Sequence, residues 1–374
     1  MSAHRFRHQI GLDVRMLSCT GIGSYLAGLL GGFAATGAFG AKDFCLCGPN
    51  AETAVWRDVA KKSFTAPIYS LREQIEYPSV AAGCRLWHSP HYNIPLVRPA
   101  GMKLVTTIHD LIHWIYRKQF FSPLQGFYAG QMLRRSVRDS DQILTVSEQT
   151  RRDLVTHFRA DPEKISVIPE GVGARFTQGD RRGAGERMKS RYAIPGDYFL
   201  YVGLLKPHKN VLWLFDLFKR LRGEGKIRSS LVLVGRKNER YPAGYERYSE
   251  IESGHGIIYH SGVDSNDLVE LYRGALALVH PSLYEGFGLT LLEAMACGTP
   301  VAAFRAASIP EVCADAACLV SPGSEEEMTR ALERLENEPS LREELSRKGL
   351  LRAGQFRWEE TAAKTIRVYE KVLR

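Results

Sequence analysis

Short apolar runs separated by stretches of helical periodicity recur twice along this chain, and that alternation constrains its fold more than any other feature. The first series of runs falls at residues 9–17, 44–47, 85–88, 104–109, 142–146 and 165–168, with helical stretches such as 24–33 and 123–137 between them. A polar helical stretch, 179–191, intervenes. The second series falls at 198–202, 231–234, 257–260, 277–280, 301–304 and 317–320, with helices expected at 211–221, 266–273 and 289–296. Apolar runs alternating with helices are strands of a parallel sheet covered on both faces. A chain of 374 residues is too long for one core of ordinary size. Two Rossmann-like α/β domains are therefore expected, 1–178 and 179–355, facing each other across a cleft. Ligands of open α/β sheets bind beyond the carboxyl ends of the strands, so such a cleft can hold two substrates. The tail is helical at 325–335 and 357–373, where Trp358, Ala362, Ile366 and Tyr369 recur at helical spacing as a buried stripe.

Charge and cysteine usage narrow the setting. Of the net charge of +9, +7 belongs to residues 1–175, which suggests an anionic partner for that half, or simply a basic solvated surface. No nucleic-acid recognition motif accompanies the charge, and a nucleic-acid partner is not expected. The seven cysteines are scattered, and Cys45-Leu-Cys47 has no second pair at zinc spacing, so no metal site is expected and a reducing, cytoplasmic location is. The first residues lack the apolar core of a secretion signal, and the run 26–41 is too short to span a bilayer. Trp114-Ile-Tyr116-Arg-Lys-Gln-Phe120-Phe121 and Phe127-Tyr128, followed by Arg134, Arg135 and Arg138, mix aromatics with cations as interfacial segments do. A core-facing helix with a solvated basic side accounts for the same pattern.

The chemistry concentrates in His280-Pro-Ser-Leu-Tyr-Glu285-Gly-Phe-Gly-Leu-Thr-Leu-Leu-Glu293-Ala-Met-Ala-Cys-Gly298-Thr-Pro300. It reads as a strand, a glycine-bearing loop and a short helix stopped by Gly298 and Pro300. Gly286 and Gly288 let backbone approach a ligand closely. The free N–H groups that follow favour an anion such as a diphosphate. Glu285 lies in the loop, where it can accept hydrogen bonds from sugar hydroxyls. Glu293 lies about one turn into the helix, where a carboxylate can take both hydroxyls of a ribose. Leu289, Leu291, Leu292 and Met295 bury that helix, and a buried glutamate needs a partner.

Two glutamates seven residues apart in this context closely resemble glycosyltransferase family 4, whose members are retaining enzymes of the GT-B fold with no required metal. The resemblance runs nearly end to end. Gly21-Ile-Gly23 resembles the family's amino-terminal loop that reaches the donor phosphate, and Val202-Gly203…Lys206-Pro-His208-Lys209-Asn210 its diphosphate-binding segment. His88-Ser-Pro-His91-Tyr92 and Thr107-Ile-His109-Asp110 resemble strand ends lining the acceptor side, and Ile168-Pro169-Glu170-Gly171 the close of the first domain. The last helix, in 356–374, resembles the one that crosses back to that domain. The resemblance implies that Glu285 contacts the transferred sugar together with His109, that Glu293 takes the ribose, and that Lys209, assisted by Lys206, neutralises the leaving diphosphate. Gly286, Phe287, Gly288, Leu289 and Thr290 complete the donor loop, and Arg236 and Val263 lie where base contacts are expected. Two departures stand out: either His208 or Leu204 stands where many relatives carry Arg, and Glu170 where many carry Asn.

The expectation is thus a hexosyltransferase using a nucleotide diphosphate sugar, with GDP-mannose first, and no cofactor. The expected acceptor is a saccharide carried on a lipid, met in the cytoplasm or at the inner membrane face. The lack of an obvious carboxylate nucleophile favours attack on the face from which the diphosphate leaves. A UDP-sugar donor, and an epimerase or hydrolase on the same fold, remain alternatives. A nicotinamide oxidoreductase does not: Leu26 stands where the dinucleotide fingerprint needs its third glycine, and Asp43 precedes the second apolar run.

Overall fold

In the computed structural model the described residues are 8–37, 41–49, 58–236 and 255–374; the first seven, read above for a secretion signal, lie outside them. The chain divides into two compact units, Met1–Gly171 with Phe356–Arg374, and Val172–Gln355.

The first unit contains β1 (His8–Asp13), α1 (Ile22–Thr36), β2 (Phe44–Cys47), β3 (Ala60–Lys62), α2 (Leu71–Ala81), β4 (Cys84–Ser89) and β5 (Lys103–Ile108). It continues with α3 (Ile112–Ile115), α4 (Pro123–Asp139), β6 (Gln142–Thr145), α5 (Glu148–Phe158) and β7 (Ile165–Val167). Its seven strands are parallel in the order β3-β2-β1-β4-β5-β6-β7. All four residues of β2 are buried, as a strand between two helical layers requires. Ile10 sets the register of the middle, opposite Phe44 on one side and Leu86 on the other.

The second unit contains α6 (Arg181–Arg191), β8 (Tyr198–Val202), α7 (Val211–Gly223), β9 (Ser230–Val234), β10 (Ile257–His260), α8 (Ser265–Gly274), β11 (Leu278–His280) and α9 (Leu289–Ala296). After these come β12 (Val301–Phe304), α10 (Ile309–Cys313), β13 (Cys318–Val320), α11 (Glu325–Asn337) and α12 (Pro339–Ala353). Six parallel strands take the order β10-β9-β8-β11-β12-β13. In each sheet the winding reverses beside the first strand, between β1 and β4 and between β8 and β11. Loops leaving those strands diverge and open a crevice at their carboxyl ends.

The last helix, α13 (Trp358–Leu373), belongs to the first unit. Thr361 Oγ1 donates to the Pro169 carbonyl at 2.7 Å, and Ala362, Ile366 and Tyr369 enter the core beside Leu26, Leu29 and Phe33 of α1. The two helices meet where α1 has no side chains. A β-carbon at Gly28 would strike the Trp358 ring, and one at Gly32 would strike the Trp358 carbonyl oxygen. No helix among the described residues is long and apolar enough to cross a membrane.

This contact gives a paired expectation. Gly32→Ala should lower the urea-unfolding free energy by about 1–3 kcal/mol, because backbone must move. Gly31→Ala, where an added β-carbon meets nothing, should raise it by about 0.5–1 kcal/mol through helix propensity.

Candidate active site

In the second unit the loops leaving β8 and β11 bring two separated segments together. Pro207–Lys209 forms one tight turn, and Asn210, at φ 54°, swings the chain into α7. Asn tolerates that left-handed conformation better than most residues. The turn carries Lys209 to the β11 loop, where its Nζ lies 2.5 Å from Glu285 Oε1. His280 ends β11 and places Nε2 2.9 Å from the same oxygen. The Leu283 N–H also donates to the His208 carbonyl at 2.8 Å, which fastens the two loops to each other. Both donors converge on Oε1 of Glu285, leaving Oε2 for other hydrogen bonds. Lys209 uses one of three ammonium hydrogens here and keeps two for an incoming anion.

Burial alone would push the Glu285 carboxyl upward, but the Lys209 charge, the hydrogen bond and charge of His280, and His208 beside it hold it well below the usual carboxylate range. It is therefore an anion at neutral pH. The loop beyond is shaped by Gly288, at φ 105°, which opens α9 with no side-chain cap and leaves backbone N–H groups of the first turn to a ligand. Ser308 Oγ is within 2.9 Å of the Glu285 carbonyl and 3.0 Å of the Phe287 carbonyl, and clamps the loop from below. Gly286, Gly288, Leu289 and Thr290 are half-buried along it, and Phe287 is buried.

Glu293 lies one turn further along α9, half-buried, and accepts from the Tyr272 hydroxyl at 2.9 Å. Burial raises its carboxyl to about 7, against the smaller opposing effects of that hydrogen bond and of Arg175. Such a carboxylate gains from any ligand that brings two hydroxyl donors. Gly203 follows β8 and packs so closely that a β-carbon on Gly235 would strike its carbonyl. Lys206 is half-buried, Arg236 is exposed and Val263 is half-exposed in the loop after β10. The structure thus gathers Lys209, Glu285 and the Gly286–Thr290 loop, and sets Glu293 on the helix that follows.

The chain that carries this arrangement, a glycine loop feeding an uncapped helix beside a buried Glu–Lys pair and a second glutamate one turn in, matches two family models. One, for group 1 glycosyl transferases, covers residues 186–352; the other, for glycosyltransferase family 4, covers residues 66–175. This chain belongs to glycosyltransferase family 4. Its relatives include an O-antigen chain mannosyltransferase B of Escherichia coli, 29% identical over 76% of this chain and 74% of that protein. An MMP alpha-(1->4)-mannosyltransferase of Mycolicibacterium hassiacum is 34% identical over 73% of this chain and 66% of that one. Among solved structures, a sucrose-phosphate synthase of Thermosynechococcus elongatus superposes with a TM-score of 0.74 at 20% identity, covering 98% of this chain and 99% of its own. The Anabaena protein HepE, solved with UDP and glucose, superposes at 0.75 and 16% identity, over 97% and 99%. The fold is GT-B, with two Rossmann-like domains and the last helix packed on the first.

In the first domain of this glycosyltransferase the expected residues separate into two kinds. His109, at the end of β5, sets Nδ1 3.1 Å from Glu170 Oε1 and Nε2 3.0 Å from the Pro90 carbonyl, with the Tyr25 ring edge-on at 4.7 Å. Both ring nitrogens thus face acceptor oxygens. Gly21 begins α1 at φ 73° in open space, and Gly23 sits where a β-carbon would press on the Leu17 carbonyl. His88, by contrast, is fully enclosed: Nδ1 meets the Tyr369 hydroxyl at 2.6 Å and Nε2 meets Thr107 at 2.8 Å. Burial drives it down to about 3, so it is a neutral tie between β4 and α13, with no ring nitrogen left for an acceptor. Asp110 accepts from the Ile112 N–H at 2.9 Å and so starts α3. His91 and Tyr92 are buried, and burial lowers His91 to about 4. Trp114 packs on Phe158 at 5.2 Å under Arg117, so the ring singled out as interfacial turns toward the core.

Sequence reasoning assigned no role to His280, Ser308 or Tyr272. His280 stood inside the quoted motif. Ser308 and Tyr272 act across 23 and 21 residues and carry no local signal.

The raised Glu293 has a stability consequence whose sign is fixed. Its folded value lies above the unfolded one near 4.5, so the cost of ionising it appears as pH rises from about 4.5 to 7 and is complete above that. Glu293→Gln should stabilise the free enzyme by about 3 kcal/mol at pH 8 and by almost nothing at pH 4, read from urea unfolding.

Proposed function

We propose that this enzyme moves a hexose from a nucleotide diphosphate sugar to a saccharide acceptor, with retention of configuration and without a metal, in bacterial polysaccharide or glycolipid synthesis. Mannose from GDP-mannose is the first candidate, supported by the mannosyltransferase names of the relatives at 29% and 34% identity. The observation that carries the proposal is the convergence of Lys209 and His280 on one oxygen of Glu285, beside the glycine loop that opens α9.

In this reading Oε2 of Glu285 accepts from hydroxyls of the transferred sugar, and the Gly286–Thr290 backbone and Lys209 hold the diphosphate. Gly203 and Lys206 line the same anion. Glu293 takes the ribose, and Arg236 and Val263 flank the base. As the glycosidic bond breaks, the diphosphate gains charge, and a fixed ammonium in a water-poor site stabilises that charge without reorganising. In the first domain, His109, Asp110, His91 and Tyr92 serve the acceptor side. Glu170 and Asp110 are each engaged in holding a neighbour, which favours same-face attack over a covalent intermediate.

A UDP-sugar donor is the second reading, favoured by the UDP and glucose in the HepE structure. A lipid-linked acceptor, met at the inner face of the cytoplasmic membrane, fits the exposed Leu71, Ile75, Leu124 and Phe127 of the basic first domain. Sedimentation with anionic vesicles tests that location; protein left in the supernatant contradicts it.

Calorimetry with GDP, UDP, ADP and NAD, in the presence of a chelator, should show selective binding of GDP. Tight NAD binding, or none of the diphosphates binding, would overturn the reading. Glu293→Ala should weaken binding of the selected nucleotide about tenfold or more, roughly 1.4 kcal/mol. Glucose- or mannose-release without acceptor, at a rate equal to transfer, would mark a hydrolase instead.

A further inference from the structure

Tyr69 is the one tyrosine, phenylalanine or tryptophan among the described residues whose backbone is left-handed, at φ 69°. That conformation is unfavourable for a residue with a β-carbon, and such outliers persist only where their surroundings enforce them. Here the enforcement is a buried charge network. The Tyr69 N–H donates to Glu73 Oε2 at 2.9 Å, and Glu73 is fully buried. Arg15 holds the other oxygen of Glu73 at 2.6 Å and Asp13 at 2.6 Å, and donates to the Ala66 carbonyl at 3.0 Å, inside the same loop as Tyr69. The Asn93 amide also donates to Glu73, and Tyr128 closes the circuit through Asn93 Oδ1 at 2.5 Å.

The product of this scaffolding is an aromatic surface. Tyr69 as a residue remains 43% exposed, with Tyr92 stacked at 6.1 Å and 29°, Tyr128 edge-on at 5.9 Å and His91 at 6.2 Å. It stands in the loop between β3 and α2, at the carboxyl end of the first sheet. Asp13 and His91 beside it come from the ends of β1 and β4, the pair between which the winding reverses. Ligands of open α/β sheets bind at such reversals. An exposed tyrosine ring offers an apolar face that suits the C–H face of a pyranose.

We propose that Tyr69, held by the Asp13–Arg15–Glu73 network and walled by Tyr92 and Tyr128, is a stacking platform for a neutral pyranose ring of the acceptor. This rests on the glycosyltransfer reading above and adds the acceptor feature that is recognised: a sugar face, with no charge required.

Saturation-transfer NMR on the full chain without donor tests it, using methyl α-D-mannopyranoside, methyl α-D-glucopyranoside and methyl α-D-galactopyranoside as probes. At least one should receive saturation from wild-type protein and from Tyr69→Phe. Tyr69→Gly removes the ring while suiting the left-handed backbone, so the loop keeps its course. It should abolish the signal, with nucleotide affinity in the same sample unchanged. No signal from any pyranoside on wild type, or an undiminished signal from Tyr69→Gly, overturns the platform. Nucleotide binding in the wild-type sample shows separately whether the glycosyltransfer reading stands.

Discussion

The site depends on keeping one carboxylate ionised while it is buried. A lone glutamate enclosed as Glu285 is would take up a proton, since desolvation disfavours its charge. Lys209 and His280 prevent this by meeting the same oxygen, and much of the second domain serves to bring them there. Asn210 turns left-handed so that Lys209 points back over the sheet, β11 ends on His280, and Ser308 ties down the carbonyls of Glu285 and Phe287. The result is a fixed anion with one oxygen uncommitted, beside backbone N–H groups that have no cap. A buried carboxylate and uncapped backbone N–H groups thus stand within one loop.

The two domains use the same winding for different electrostatic ends. In the second, the reversal between β8 and β11 gathers Lys209 and the uncapped N–H groups of α9 around the buried Glu285. In the first, the reversal between β1 and β4 is filled by Asp13, Arg15 and Glu73, two acids to one cation, and is ringed by tyrosines. Buried ion networks of this kind contribute little net stability, because desolvation offsets attraction. Their presence is better accounted for by the backbone geometry they enforce at Tyr69.

Much of this fold was legible in the sequence. The bounds read for β2, β8, β10, β12 and α9 coincide with those observed, because each is an apolar run or helix closed by a polar or glycine-bearing turn. β3 escaped notice: Ala-Lys-Lys at a sheet edge has neither alternation nor an apolar run. α12 was missed because it buries only Leu345, Gly349 and Ala353, too sparse a stripe to register as periodicity. Glu285, Glu293 and Lys209 were singled out through the family motif. The contacts that set their charge were not legible, since Lys209 lies 76 residues from Glu285 and Tyr272 lies 21 from Glu293. The inward role of His88 could not be read either, because its partner Tyr369 arrives from α13, 281 residues away.

The central claim is that Lys209 and Glu285 act as one electrostatic unit, and a double-mutant cycle on the transfer rate tests it most directly. Lys209→Met and Glu285→Gln should each cut the rate severely, and the double variant should be little worse than the more damaged single. Contacting residues of one network couple by about 0.5–3 kcal/mol, so the shortfall from additivity should fall in that range. Fully additive losses would contradict the account, since they would mean that the two side chains act independently.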